Sequence, residues 1–141
     1  MIPILRVAGH ILVSVQTELG DDVVETFQDA VLMAIHNDRG RTDGVVIDIT
    51  ALEVVDTYVA RVLADTAAMA KLMGRQTVVV GMRPDVAFTL VQMGFTLPEV
   101  HTALNIDDGI AWLDALHTPG TTRAQRVGPL DAPRSEPDTN R

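Results

Sequence analysis

The sequence predicts an α/β fold, a mixed β-sheet with about four helices packed against it. Three observations predict it. Short runs rich in β-branched residues, Val45 to Ile49 and Thr77 to Val80 above all, have the composition of strands covered on both faces. Between them lie segments whose apolar residues recur at spacings of three and four, the mark of helices with one buried stripe. The order of the two kinds of segment is β-β-α-β-α-β-α-β-α. A two-strand start followed by alternation of strand and helix builds a mixed sheet with helices against it, joined by right-handed crossovers.

The elements follow in order. Ile2 to Val7 and Ile11 to Val15 are two β-rich runs separated by Ala8-Gly9-His10, a hairpin turn with His10 as a turn residue at its tip. After a loop from Gln16 to Gly20, Asp21 or Asp22 caps a helix, with Glu25 in its first turn where the helix dipole favours acid. Val23, Val24, Phe27, Val31, Ala34 and Ile35 form its buried face. His36 and Arg39 lie near its end and Gly40 closes it.

The central unit runs from Val45 to Gly74. The strand Val45-Val46-Ile47-Asp48-Ile49 passes through a short loop into a helix whose stripe is Val59, Val62, Leu63, Thr66, Met69, Ala70 and Met73. Arg61, Asp65 and Lys71 fall off that stripe, and Arg61 and Asp65, four apart, can pair weakly. Gly74 ends the helix. Asp56 or Thr57 is the N-cap, since either side chain can accept from the free N–H groups of the first turn. Composition alone favours a capping role for Thr57. The other role open to it is phosphorylation, because a helix start tolerates a phosphate.

Gln76 to Gly81 is the next strand. Arg83-Pro84-Asp85 opens a helix with Pro at or near its first position, carrying Val86, Leu90, Val91 and Met93 and stopping at Gly94. Phe95 to Val100 is a last short strand or extended piece, kept short by Pro98. Asp107 or Asp108 caps a final helix with Ile110, Leu113 and Leu116 on its stripe and Trp112 beside it as a packing anchor. The folded domain is thus residues 1–117. Residues 118–141 contain Pro119, Pro129, Pro133 and Pro137 and only Val127 and Leu130 as larger apolar residues, the composition of a disordered tail.

Composition excludes several functions. The chain has no cysteine, hence no disulfide framework and no thiol chemistry. The start lacks a signal peptide's basic and apolar regions, and no apolar run approaches the roughly 18 residues of a membrane span. A soluble cytoplasmic protein is the expectation. Residues 1–117 hold 7 basic against 16 acidic side chains, a balance of −9, which argues against a nucleic-acid or anionic-membrane surface. Gly81-Met82-Arg83-Pro84 lacks the glycine spacing of a phosphate-binding loop. His10, His36, His101 and His117 match no metal-ligand spacing, so neither metal nor cofactor is expected. Ser14 and Ser135 are the only serines and neither lies in a nucleophile elbow. Asp48 reads as a loop-facing or capping group at its strand's end rather than half of a catalytic pair. Nothing here points to an enzyme.

Met1-Ile2-Pro3-Ile4-Leu5, Val13-Ser14-Val15-Gln16, Val45-Val46-Ile47-Asp48-Ile49-Thr50, Val55-Asp56-Thr57 and Met69-Ala70-Lys71-Leu72-Met73-Gly74, in this order and at these distances, resemble a STAS domain. The nearest likeness is to the RsbS-type scaffold of the bacterial stressosome, and it extends over about residues 1–117. The resemblance implies an anti-sigma factor antagonist fold that binds partners and does not catalyse. It implies co-assembly with RsbR-type sensor paralogues, as a homo-dimer or larger particle, and sequestration of an RsbT-type serine/threonine switch kinase. That kinase phosphorylates the hydroxyl residue following Asp in this loop and is released into the stress response, and a PP2C-type phosphatase resets the scaffold. Carried onto this chain, the phosphoprotein site is Thr57, with Asp56 and Tyr58 as the docking residues around it. This reverses the preference for a cap. The RsbS-type acceptor is serine and the RsbR-type is threonine. A domain that begins at Met1 with no sensor ahead of it, and no hydroxyl in Asp21-Asp22-Val23-Val24-Glu25, favours the S-type. The alternative is a simple anti-anti-sigma factor that captures an anti-sigma kinase directly, using the same Thr57 in a small complex.

Overall fold

The computed structural model describes residues 2–16, 21–38, 44–94 and 100–117. Five strands and four helices alternate in the expected order: β1 (Ile4–Val7), β2 (His10–Ser14), α1 (Asp21–Asp38), β3 (Gly44–Asp48), α2 (Thr57–Leu72), β4 (Gln76–Val80), α3 (Pro84–Gln92), β5 (His101–Ala103) and α4 (Ile106–His117). The sheet order is β1-β2-β3-β4-β5. β1 is antiparallel to β2, and the other three pairings are parallel. A hairpin can return antiparallel within a few residues, whereas each parallel neighbour needs a crossover, which here is a helix.

Strand alternation sorts the side chains onto two faces. Ile11, Val13, Val45, Ile47 and Val79 point to the larger core, where Phe27, Val31 and Ile35 of α1, Val59, Val62, Leu63 and Ala70 of α2, and Val86 and Leu90 of α3 meet them. Val46, Val78 and Val80 point the other way, onto Leu113 of α4. β3 lies in the middle and its first four residues are all buried, as a strand covered on both faces requires.

α2 buries Val59, Ala60, Val62, Leu63, Thr66, Ala67 and Ala70 and exposes Arg61, Asp65 and Lys71. Thr66 can sit in this apolar stripe because its hydroxyl donates to the Val62 carbonyl at 2.7 Å and accepts from Gln28 of α1 at 3.2 Å. Met73, expected on the stripe, is instead 38% exposed, because the helix has already ended. Gly74, at φ +88°, lets Gly74 N–H reach the Lys71 carbonyl and Arg75 N–H the Ala70 carbonyl, both at 2.9 Å. Arg61 and Asp65 form no ion pair among the described residues.

Several local expectations need correction. His10 is no turn residue: it opens β2, is 1% exposed, and its Nε2–H donates to Asp114 of α4 at 2.8 Å. The turn is Ala8-Gly9, both with positive φ. The last strand is His101–Ala103 rather than Phe95 to Val100, since the three residues that register with Val78, Val79 and Val80 lie just beyond the expected piece. Residues 95–99 lie outside the described set. α4 is capped by Asn105, whose Oδ1 accepts from Asp108 N–H at 2.8 Å, while Asp107 and Asp108 occupy the first turn. On α3 only Val86 and Leu90 are buried; Val91 and Met93 face outward. On α4 Leu113 is fully buried, whereas Leu116 is 44% exposed. Trp112 does serve as a packing residue, stacked on His101 with centroids 3.9 Å apart. The cap expected of Asp21 or Asp22, the stop at Gly40 and the tail from 118 to 141 lie outside what is described.

Two interactions beyond the apolar cores tie the layers. Asp38, at the end of α1 and 1% exposed, is held by Arg6 of β1 at 3.1 Å and by Arg75 ahead of β4 at 3.5 Å. The pairing compensates a buried charge. At the opposite, carboxyl edge of the parallel strands, Asp48 Oδ1 accepts from the Thr50 N–H at 2.9 Å and from the Thr50 hydroxyl. Gly81, at φ +83°, passes directly against that turn, and a β-carbon there would collide with the Thr50 hydroxyl. Gly81→Ala is therefore expected to destabilise the protein by about 2 kcal/mol or more in urea denaturation, from left-handed strain plus the lost contact. Leu63→Asp, which places a carboxylate in the core, should prevent folding altogether, read as loss of the far-ultraviolet helical spectrum.

Candidate functional site

The loop between β3 and α2 leaves the carboxyl edge of the sheet. It is pinned first by Ile49 N–H on the Val80 carbonyl at 3.0 Å and by Leu52 N–H on the Ile49 carbonyl at 2.9 Å. Leu52 and Val55 then turn inward and are buried, so the loop is anchored at two points. Glu53 and Val54 between them, and Asp56 beyond, are left exposed.

Asp56 decides how the helix begins. Its backbone is extended, at φ −92° and ψ −176°, and its side chain accepts from Val59 N–H at 2.9 Å. This is the N-cap arrangement, with the bond made to the third helical residue. Asp56 C=O also accepts the first helical bond, from Ala60 N–H at 2.9 Å. Of the two candidate caps, the carboxylate has taken the role. Thr57 is the first helical residue, exposed, and its hydroxyl makes no hydrogen bond among the described residues. Tyr58 follows at 46% exposure and Val59 turns into the core at 6%. The three residues singled out from the sequence thus lie side by side, with Asp56 committed to structure and the Thr57 hydroxyl presented to solvent.

The surroundings are acidic and partly apolar. A shallow cavity of about 220 Å³ beside the loop is lined by Glu53, Val54 and Val55 and by Asp85, Val86 and Thr89 of α3. Arg83, at the start of α3, lies 3.9 Å from Asp85. Asp48 is turned onto Thr50 through its Oδ1. Nothing local in the sequence signals this groove, because it joins the β3–α2 loop to the first turns of α3, about 30 residues further on. The sequence offers Arg61 a weak pairing with Asp65, and the spacing of four between Thr57 and Arg61 is equally legible.

Among the described residues no group of three or more His, Asp or Glu side chains is placed to hold a metal, and no helix is long and apolar enough to cross a membrane. Because the Asp56 carboxylate makes the cap, Asp56→Ala should cost about 1 kcal/mol of stability, whereas Thr57→Ala should stay within about 0.5 kcal/mol of the parent. Denaturant midpoints of the two variants check this, and a reversed order would return the capping role to Thr57.

Comparison with known proteins agrees with the fold. A family model described as STAS domain matches residues 2–109. RsbS of Moorella thermoacetica, solved as a variant with glutamate in place of a serine, is 41% identical, with a TM-score of 0.67 over 82% of this chain and 97% of that one. A chain from the molecular architecture of the stressosome, described as a signal integration and transduction hub, is 40% identical, with a TM-score of 0.69 over 82% of this chain and 99% of that one. The RsbT co-antagonist protein RsbRA of Bacillus subtilis is 31% identical over 97 residues, 69% of this chain but 33% of that protein. The chain spans between 23% and 58% of the length of the curated relatives it matches. With the mixed five-stranded sheet, the four helices and the match over most of its length, the chain belongs to the STAS domain family and is similar within it to RsbS.

Proposed function

We propose that this chain is a non-catalytic scaffold and phospho-switch protein of a bacterial stressosome. It co-assembles in the cytoplasm with RsbR-type sensor paralogues, holds an RsbT-type serine/threonine kinase, and releases that kinase once Thr57 is phosphorylated. A PP2C-type phosphatase returns it to the holding state. One observation carries the reading: the Thr57 hydroxyl is exposed and uncommitted, because Asp56 already caps α2. The likeness to RsbS, to a stressosome chain and to an RsbT co-antagonist supports the choice of partners.

The physical mechanism is electrostatic. Before modification the surface around Thr57 offers a hydroxyl, the ring of Tyr58 and the apolar side chain of Val54 alongside the carboxylates of Glu53 and Asp56. A phosphate adds about −1.5 to −2 charge at pH 7 directly beside Asp56. A kinase returning to this surface would have to strip water from the phosphate and tolerate its field, and both oppose redocking. The helix itself bears the added charge, since the first turn presents unpaired N–H groups and the positive end of the dipole.

Incubation of the full chain with its cognate kinase and ATP should add one phosphate, assigned to Thr57 by intact-mass and peptide mass spectrometry. No phosphate, from a kinase active on another scaffold, would sink the switch. Thr57→Asp should weaken kinase capture and Thr57→Ala should retain the kinase when ATP is added. Equal capture and release by both variants and the parent would remove Thr57 from the mechanism. Mixed with an RsbR-type partner, the chain should elute as a large particle. Persistence of small separate species under gentle conditions would favour a simple anti-anti-sigma factor instead.

A further inference from the structure

Arg61 stands one turn after Thr57 on α2, and both are exposed. Residues four apart on a helix are neighbours, with β-carbons about 5–6 Å apart. Helical side chains lean towards the N-terminus, so a long residue covers the turn before its own α-carbon. That lean carries a long side chain at position 61 towards Thr57 and away from position 65. It makes no ion pair among the described residues, Asp65 included. The other charged groups at this end are differently placed. Glu53 and Asp56 are anions, and Arg83 of the α3 start sits against Asp85 at 3.9 Å. Lys71 is in the last turn of α2.

We infer that Arg61 is the positioning residue for phosphorylated Thr57, its guanidinium folding back over the first turn to hold the phosphate. This rests on the reading of Thr57 as the acceptor. In the transfer, Thr57 Oγ1 attacks the γ-phosphorus of ATP. The Oγ1–P bond forms, the bond from that phosphorus to the β–γ bridging oxygen breaks, ADP leaves, and the hydroxyl proton passes to a base on the kinase. Arg61 takes no part in that step; it acts on the product. The planar guanidinium donates two parallel hydrogen bonds to a phosphate, a geometry an ammonium cannot reproduce. It offsets one unit of the new charge and directs the rest. The phosphate is thereby kept as an ordered dianion at the helix start, and the one cation on this part of α2 is withdrawn from any docking partner.

The test uses the full chain with phosphothreonine genetically encoded at position 57, so that no kinase is needed. The phosphate is titrated by phosphorus NMR in the parent, Arg61→Gln and Arg61→Lys. Its second pKa, ordinarily about 6, should lie about half a unit lower in the parent than in Arg61→Gln, because a neighbouring cation favours the dianion and exposure screens the effect. Arg61→Lys should fall between them, and about 1 M salt should shrink the difference. Gln is nearly as good a helix former as Arg, and helical circular dichroism confirms that the variants are folded. Superimposable titrations of parent and Arg61→Gln at low salt would overturn the role of Arg61 while leaving Thr57 as acceptor. Peptide mass spectrometry that finds the kinase's phosphate at another residue would overturn the acceptor, and the biological use of Arg61 with it.

Discussion

Burial of β3 on both faces is the constraint from which the rest follows. Val45 and Ile47 face one core and Val46 the other, so the strand is stable only with helices above and below it. The parallel neighbours β2 and β4 need crossovers, and α1 and α2 supply them while covering the larger core. α4 then closes the second face. Its approach is close: a β-carbon at Gly109 would press on Val80, and one at Gly44 on Leu113. The same arrangement fixes the position of the candidate site. Because β3 and β4 are parallel, the loop leading into α2 and the first turns of α3 meet at one edge and line a common groove. The buried Asp38 cluster with Arg6 and Arg75 sits at the other edge, where α1 ends and β4 is about to begin.

Division of labour between adjacent residues makes Thr57 available. A helix start needs an acceptor for its free N–H groups, and Asp56 meets that need with a carboxylate on the Val59 amide. With the cap satisfied, the next residue is under no structural obligation, while Leu52, Val55 and Val59 on either side hold the backbone in place. A modification site benefits from that combination of a rigid frame and an unengaged hydroxyl. The acidity of Glu53, Asp56 and Asp85 has a structural side, since Asp85 in the first turn of α3 complements that helix's dipole.

Much of this was legible in the sequence, for reasons that particular residues make plain. Val45 to Ile49 and the stripe from Val59 to Ala70 have strong periodic patterns, and those patterns are produced by the same burial that stabilises them. The end of α2 was legible because only a residue at ease with positive φ can stand at Gly74. The misplacements arise where a local pattern has no unique reading. His10 beside a glycine looks like a turn, and only its contact with Asp114, 104 residues away, makes it a core residue. β5 has three residues, too few for alternation to register, and its place is set by pairing with Val78 to Val80. Asn105 was passed over as a cap because the two aspartates after it are equally plausible. The phospho-acceptor role proposed for Thr57 rests on the order of motifs across the whole domain, since Asp-Thr by itself describes any capped helix. The groove between the β3–α2 loop and α3 was invisible to sequence reasoning because it belongs to tertiary structure alone.

The contact between His10 and Asp114 joins the second strand to the last helix. A ribosome makes the chain from its amino end, so the strands that carry His10, Leu12, Val46, Val78 and Val80 are all made before α4. Until α4 follows, therefore, the second face of the same sheet lacks the helix that packs on it. Over that interval the nascent protein carries an apolar surface that α4 covers among the described residues, and exposed surface of that kind is what chaperones bind and aggregation begins from. Truncation just before α4 would leave that state permanent.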